Sequence, residues 1–298
     1  MFKLIRNRKY WYIISIILVV LSLASILTFG LRFGIDYKGG TLITLKASDA
    51  NLKNKLENTL QEQNITPFQI KDSGNSEITI RTITLDNDQH NKLLQSLSST
   101  IPGIQETSYD SIGPVIGKDL TNKSILAVSF ASLAIILYVA FSFRKVPKPL
   151  SSWKFGVLAV VALIHDLVIT TGFVSVLSHF LPWMEVDALF ITALLTVMGF
   201  SVHDTIVIYD RLRENFTRHY HKGIEVVAEE SVNQTLARSI NTSLTTIIVL
   251  TALLLLGGTP IKHFIVVLIL GIFIGTYSSI FVAAPLLVSW HTNRGVGK

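Results

Sequence analysis

Six separate stretches of the chain are long and apolar enough to cross a lipid bilayer, and this limits what it can fold into more than any other feature. A span needs about 20 predominantly apolar residues. Residues 11–31 and 124–143 carry no charge. Residues 155–178 are apolar except for His165 and Asp166, and 186–209 except for Asp187, His203 and Asp204. Residues 239–257 begin polar at Asn241, Thr242 and Ser243, then become a run of Leu and Val; 264–290 are uncharged, with Pro285 near the end. The pattern predicts a polytopic α-helical membrane protein with six transmembrane helices. Charged residues make up 15% of the chain, against about 25% in soluble domains, which disfavours a cytosolic enzyme. Without cysteine, disulfides, Cys-ligated zinc and a Cys nucleophile are excluded.

Orientation follows from lysine and arginine in the short connections, which favour the cytoplasmic side. With residues 1–10 in the cytoplasm, that side holds Lys3, Arg6, Arg8 and Lys9, then Arg144, Lys145, Lys148 and Lys154. It also holds Arg211, Arg213, Arg218, Lys222 and Arg238, and the tail's Arg294 and Lys298, whereas the short opposite loops hold Lys262 alone. The tail is thus 291–298, on the same side as the N-terminus. The formal charge of +6 therefore lies at a membrane edge, which argues against nucleic-acid binding. A cleaved signal peptide is the rival reading for 11–31, but its apolar region runs about 7–15 residues. The first span is read as retained.

The segment 32–123 is too long for a connector. Residues 39–46 and 77–85 alternate as strands, 67–71 and 104–112 read as two more, and Leu52, Leu56 and Leu60 recur at helical spacing. A second helix covers 89–99. The order β-α-β-β-α-β predicts an extracytoplasmic α+β ferredoxin-like domain, followed by a five-helix membrane core over 124–290. A superfold of this kind says little about function. Its one histidine is His90, and a lever or docking role fits better than catalysis. Glycine-rich stretches flank it: FGIDYKGGT (33–41) and IGPVIGKDL (112–120). The second lacks the spacing and the Ser/Thr of a phosphate loop. Asp36, Gly39, Gly40, Gly113 and Gly117 are read instead as hinge or motif positions.

The charges within the apolar stretches carry the chemistry. An aspartate at the centre of a span costs about 2.5–3.5 kcal/mol to insert and faces protein or water. Asp166 lies near mid-depth, Asp204 nearer the cytoplasmic end, and Arg238 opens the fifth stretch on that same side. Burial disfavours a carboxylate and a neighbouring cation favours it, so Asp204 beside Arg238 is a candidate proton-switched pair. One charge crossing 100 mV supplies about 2.3 kcal/mol, and a two-state switch needs about 5.5 kcal/mol for near-completion. About one or two protons per stroke then suffice under an ordinary gradient. Bland readings stand beside this: Asp166 as a neutral packing residue, His165 as structural, Arg238 as a snorkelling cation. His165–Asp166 and His203–Asp204 invite a metal site, but adjacent helical residues diverge by about 100°, so each pair offers one good ligand. No metal or cofactor is expected. Tyr209–Asp210 lacks the second motif of an intramembrane aspartyl protease.

At these positions the chain resembles the SecD/SecF family of bacterial protein export. The resemblance rests on FGIDYKGGT, IGPVIGKDL, LIHDLVIT (163–170), GFSVHDTIVIYDRLREN (199–215), QTLARSINTS (234–243) and GTYSSIFVAAPL (275–286). It implies an inner-membrane protein of the resistance-nodulation-division architecture that pairs with the six-span SecD, associates with the SecYEG channel and YajC, and uses the proton gradient to pull preproteins outward. It places the family's proton pathway on Asp204, on Arg238 and on Asp166, the aspartate of a third-span His-Asp motif. It implies no enzymatic activity. A half-transporter exporting a small molecule or lipid by the same coupling is the rival function.

Overall fold

The computed structural model describes residues 2–47, 52–74, 77–144, 151–181, 183–258 and 261–292. Lys145, Lys148, Arg294 and Lys298, counted above for orientation, lie outside the described residues, as does most of the tail. Two compact units emerge, one formed by Met1–Arg32 with Leu126–Lys298 and the other by Phe33–Ile125.

In the first unit, α1 (Arg8–Phe29), α6 (Ser152–Phe180), α7 (Ala188–Arg218) and α8 (Ile224–Leu256) are joined by α9 (Lys262–Ser278) and its continuation. That continuation is a π turn, Ser279–Ala283, leading into α10 (Ala284–Thr292). Pro285 supplies a reason for the wide turn, because proline has no N–H and its ring collides with the carbonyl four residues back. With α5 (Pro114–Ser142), six candidate membrane helices result among the described residues.

Three helices outrun the apolar stretches that announce them. α5 begins at Pro114, ten residues before the apolar run, with proline at a first helical position that suits it. α7 continues through Arg218, and α8 starts at Ile224. Their polar ends are held by pairs that hydrophobicity does not register. Arg211 meets Glu214 at 2.6 Å and Arg218 meets Glu214 at 2.9 Å; Asn215 Nδ2 donates across to Ser231 Oγ at 2.9 Å. Arg238 consequently lies inside the 33-residue helix α8 and does not open it.

Small residues set the helix spacing. A Cβ added at Gly271 of α9 would lie 2.2 Å from Val197 Cγ2 of α7, and one at Gly275 would lie 2.9 Å from Ser201 Cβ. Gly172 of α6 meets Ser22 of α1 as closely, and there Ser25 Oγ donates to the Gly172 carbonyl at 3.0 Å. Phe143 and Phe155 stack within the core with Tyr209 edge-on to both, and the Tyr209 hydroxyl donates to the Ala283 carbonyl of the π turn at 3.1 Å. The N-terminal residues are anchored too: the amides of Leu4, Ile5 and Arg6 all donate to the Glu229 carboxylate of α8.

The second unit holds α2 (Ile35–Lys38), β1 (Gly40–Lys46), α3 (Leu52–Glu62), β2 (Phe68–Gly74), β3 (Glu77–Thr82), α4 (Asn87–Thr100) and β4 (Gln105–Ile112). The four strands form one antiparallel sheet in the order β2-β3-β1-β4, with Ile43 opposite Ile80 and Tyr109. The alternation along β1 and β3 turns Ile43, Leu45 and Ile80 onto Leu56, Leu60, Leu93 and Leu97 of the two helices, all fully buried. Asp86 and Gln89 start α4 with a reciprocal capping box. Leu56→Ala is expected to cost about 2–5 kcal/mol, read as a loss of amide exchange protection confined to residues 33–125.

The two glycine-rich stretches pack against each other. Gly40, at φ +124°, has no room for a Cβ, which would sit 2.7 Å from the Thr82 carbonyl oxygen. A Cβ at Gly39 would lie 3.1 Å from Pro114 Cα, and one at Gly117 would lie 3.0 Å from the Tyr37 carbonyl oxygen, whereas Gly113 meets nothing within 4 Å. Asp36 sits in the first turn of α2. The glycines at 39, 40 and 117 permit close backbone approach in this structure.

Candidate functional site

Two buried carboxylates lie on opposite flanks of α9. Asp166 of α6 is completely buried. Its Oδ2 accepts from Ser201 Oγ of α7 at 2.6 Å and from Ser278 Oγ of α9 at 2.7 Å. Its Oδ1 lies 2.9 Å from Nδ1 of the adjacent His165. Three helices therefore converge on one side chain, and small residues at 201, 275 and 278 let them come close enough to do so. Charge-assisted bonds from hydroxyls are among the stronger protein hydrogen bonds, so this carboxylate is firmly held.

Asp204 of α7 is 2% exposed and points into the seam between α8 and α9. Its Oδ2 accepts from Thr276 Oγ1 at 3.2 Å and from Ser243 Oγ at 3.5 Å. Each donor has a competing acceptor. Thr276 Oγ1 also reaches the Ile272 carbonyl at 2.9 Å, and Ser243 Oγ reaches the Ser239 carbonyl at 2.9 Å. The two hydroxyls also lie within hydrogen-bond distance of each other. A hydroxyl has one proton to give, so Asp204 is held by borrowed donors. Of the two carboxylates it can change protonation with the smaller loss of hydrogen bonding.

Arg238 does not touch Asp204. It is exposed on α8, and among the described residues no ion pair joins the two. Sequence reasoning placed both at similar depth, but depth leaves open which way each side chain faces around its helix. Ser243 is legible in the sequence as polar and Ser201 and Ser278 as small packing residues, but neither they nor Thr276 are identified there as the hydroxyls that contact the carboxylates. The glycine- and serine-rich run 275–279 was the available signal. Among the described residues no cluster of three or more His, Asp or Glu could hold a metal ion.

A face of small and polar side chains is left uncovered by this chain. Thr192, Thr196, Gly199 and His203 follow one another at helical spacing along α7 and are exposed, as are Arg238, Asn241 and Thr245 on α8.

These features define a multi-pass α-helical membrane protein with ionisable groups inside its helix bundle. The chain belongs to the SecD/SecF protein-export family. Residues 92–293 match the family described as protein export membrane protein SecD/SecF, C-terminal, and residues 24–50 match the SecD/SecF GG motif. The protein translocase subunit SecF of Thermobaculum terrenum is 40% identical over 97% of this chain and 94% of its own length. That of Anaerolinea thermophila is 38% identical over 99% and 96%. The crystal structure of SecDF, a translocon-associated membrane protein from a Thermus species, superposes with a TM-score of 0.83 at 31% identity. It covers 98% of this chain, which spans 39% of the length of that solved chain. SecDF in a super-membrane-facing form matches with a TM-score of 0.71.

Proposed function

We propose that this chain is the SecF-type subunit of a Sec protein translocase, and that it couples proton passage through the cytoplasmic membrane to the outward movement of preproteins. Asp204 takes up and releases the proton, Arg238 biases it by its charge, and Asp166 ties α6, α7 and α9 together. Both termini lie in the cytoplasm of a bacterial cell, residues 32–123 form a ferredoxin-like domain on the far side, and 124–290 complete the membrane core. The antiparallel sheet order and the two helices over one of its faces support that domain assignment. The partners are a six-span SecD-type subunit, the SecYEG channel, YajC, the translocating preprotein and membrane lipid.

The observation that carries this reading is Asp204, a buried carboxylate within an apolar span, held by hydroxyls of two neighbouring helices in a chain of this family. The uncovered polar face of α7 and α8 supports an obligate partner, because polar and small residues mark helix–helix contact in a bilayer and not lipid contact. Depleting the protein tests the assignment. Unprocessed secretory precursors are expected to accumulate, and dissipating the gradient in vesicles should remove the contribution of this subunit to export. Normal precursor processing, with loss of export of a small molecule or lipid, would instead identify a half-transporter.

A further inference from the structure

His165 is the adjoining group to which the proposed function gives no work. The residue is 9% exposed, and its Nε2 is enclosed by this chain's own atoms with no hydrogen-bond partner among the described residues. A buried nitrogen without a partner is costly, so it calls for an explanation. The ring is fixed by its other nitrogen, since Nδ1 lies 2.9 Å from Asp166 Oδ1, and by Tyr277 of α9, whose ring lies nearly parallel with centroids 6.3 Å apart.

Proton bookkeeping around this contact singles out Nε2. When the His165–Asp166 pair carries one negative charge, Nδ1 must hold a hydrogen to meet Oδ1, which leaves Nε2 bare. When the pair is neutral, one hydrogen lies between Nδ1 and Oδ1, whichever of them owns it. The second hydrogen is then on Nε2. Both neutral forms differ from the anionic form by a hydrogen at that one atom. The remaining oxygen of Asp166 accepts from both Ser201 and Ser278, and a proton placed there would have to turn those two donors away.

We propose that His165 is a proton-carrying residue of this protein, with Nε2 as the atom at which the His165–Asp166 pair gains and loses its proton. The inference rests on the proton-coupled reading above and adds a second proton-holding position to Asp204. The step is a simple addition: the Nε2 lone pair takes a proton, an N–H bond forms, and no other bond is exchanged. The titratable group facing the ring from α9 is Tyr277. From α1, Ser15 Oγ lies 3.0 Å from the Tyr277 hydroxyl, which also reaches the Trp11 carbonyl. α7 contributes Ser201 through Asp166, and its own Asp204 is engaged with Thr276 and Ser243.

His165→Asn provides the test, because an asparagine amide can replace the Nδ1–H donor to Asp166 while deleting the atom at the Nε2 position. Gradient-driven export by the full complex is expected to fall at least about tenfold and to lose the pH dependence seen with histidine. A wild-type rate with a wild-type pH profile would overturn the proposal, leaving His165 as a donor only. Should the variant fail to accumulate, nitrogen-15 NMR of the unsubstituted chain with its partner in lipid decides. The Nε2 signal is expected to move between its bare and protonated positions across the pH range that supports export, and a signal held in one state overturns the proposal. Asp204→Asn, measured alongside, keeps the two ideas separate. Undiminished export there sinks the Asp204 coupling and leaves the titrating Nε2 standing, whereas a silent His165→Asn removes this inference alone.

Discussion

Asp204→Asn should reduce gradient-stimulated export to the level measured with the gradient collapsed, a loss of at least about tenfold, while the chain accumulates normally. The two halves of that expectation have separate physical origins. The amide matches the carboxylate in volume, and its carbonyl oxygen can accept from Thr276 and Ser243, whose hydroxyls already have alternative acceptors in the Ile272 and Ser239 carbonyls. Little packing or hydrogen bonding is lost. What disappears is the capacity to bind a proton, and without it a gradient has no differential affinity for two conformations through which to act. Export and proton conduction measured on the same vesicles check the point. If both persist undiminished, Asp204 is an inert part of a scaffold.

Gly271→Val should do the opposite and strike the fold before the chemistry. The first added carbon would already overlap Val197 at 2.2 Å, and valine brings two more behind it. α7 and α9 would have to separate, and Gly275, one turn on, makes the same kind of contact with Ser201. Parting them pulls Ser201 and Ser278 away from their shared acceptor, Asp166. Overpacking costs about 1–3 kcal/mol and sometimes more, and each buried donor left without an acceptor adds about 1–3 kcal/mol. The expected result is a chain that accumulates poorly and unfolds at lower temperature in detergent, with Asp166 reactivity toward solvent increased. Gly199→Ala serves as the control. An added Cβ there meets nothing within 4 Å, so intrachain stability should change by no more than about 0.5 kcal/mol.

The parts of this architecture that were legible beforehand are those governed by transfer free energy. Hydrocarbon imposes a minimum apolar length, so the helices around Trp11, Val128, Leu163, Met198, Val249 and Ile272 could be found from composition along the chain. Helix ends obey other forces. The polar turns of α5, α7 and α8 are held by a proline at the first turn and by Arg211, Glu214, Asn215 and Ser231, none of which alters hydropathy in the right direction. Azimuth was likewise hidden: Asp204 faces the α8–α9 seam at the level of Ser243, whereas Arg238, more than one turn earlier on α8, is exposed. His165 reads from the sequence as structural or as a poor partner for a metal, and yet its imidazole curls back onto the carboxylate next door. That contact depends on side-chain reach and on Tyr277 lying across the ring, and neither can be read from spacing.

The two carboxylates draw on hydroxyls only two positions apart on α9, Thr276 and Ser278, which stand on nearly opposite sides of a helix that turns about 100° per residue. A sideways shift of that helix toward one carboxylate carries it away from the other. Tightening the grip on Asp166 slackens the grip on Asp204, and the reverse. The proposed proton step at Asp204 would therefore have a mechanical route to Asp166 through the last span, without any charge having to cross between them.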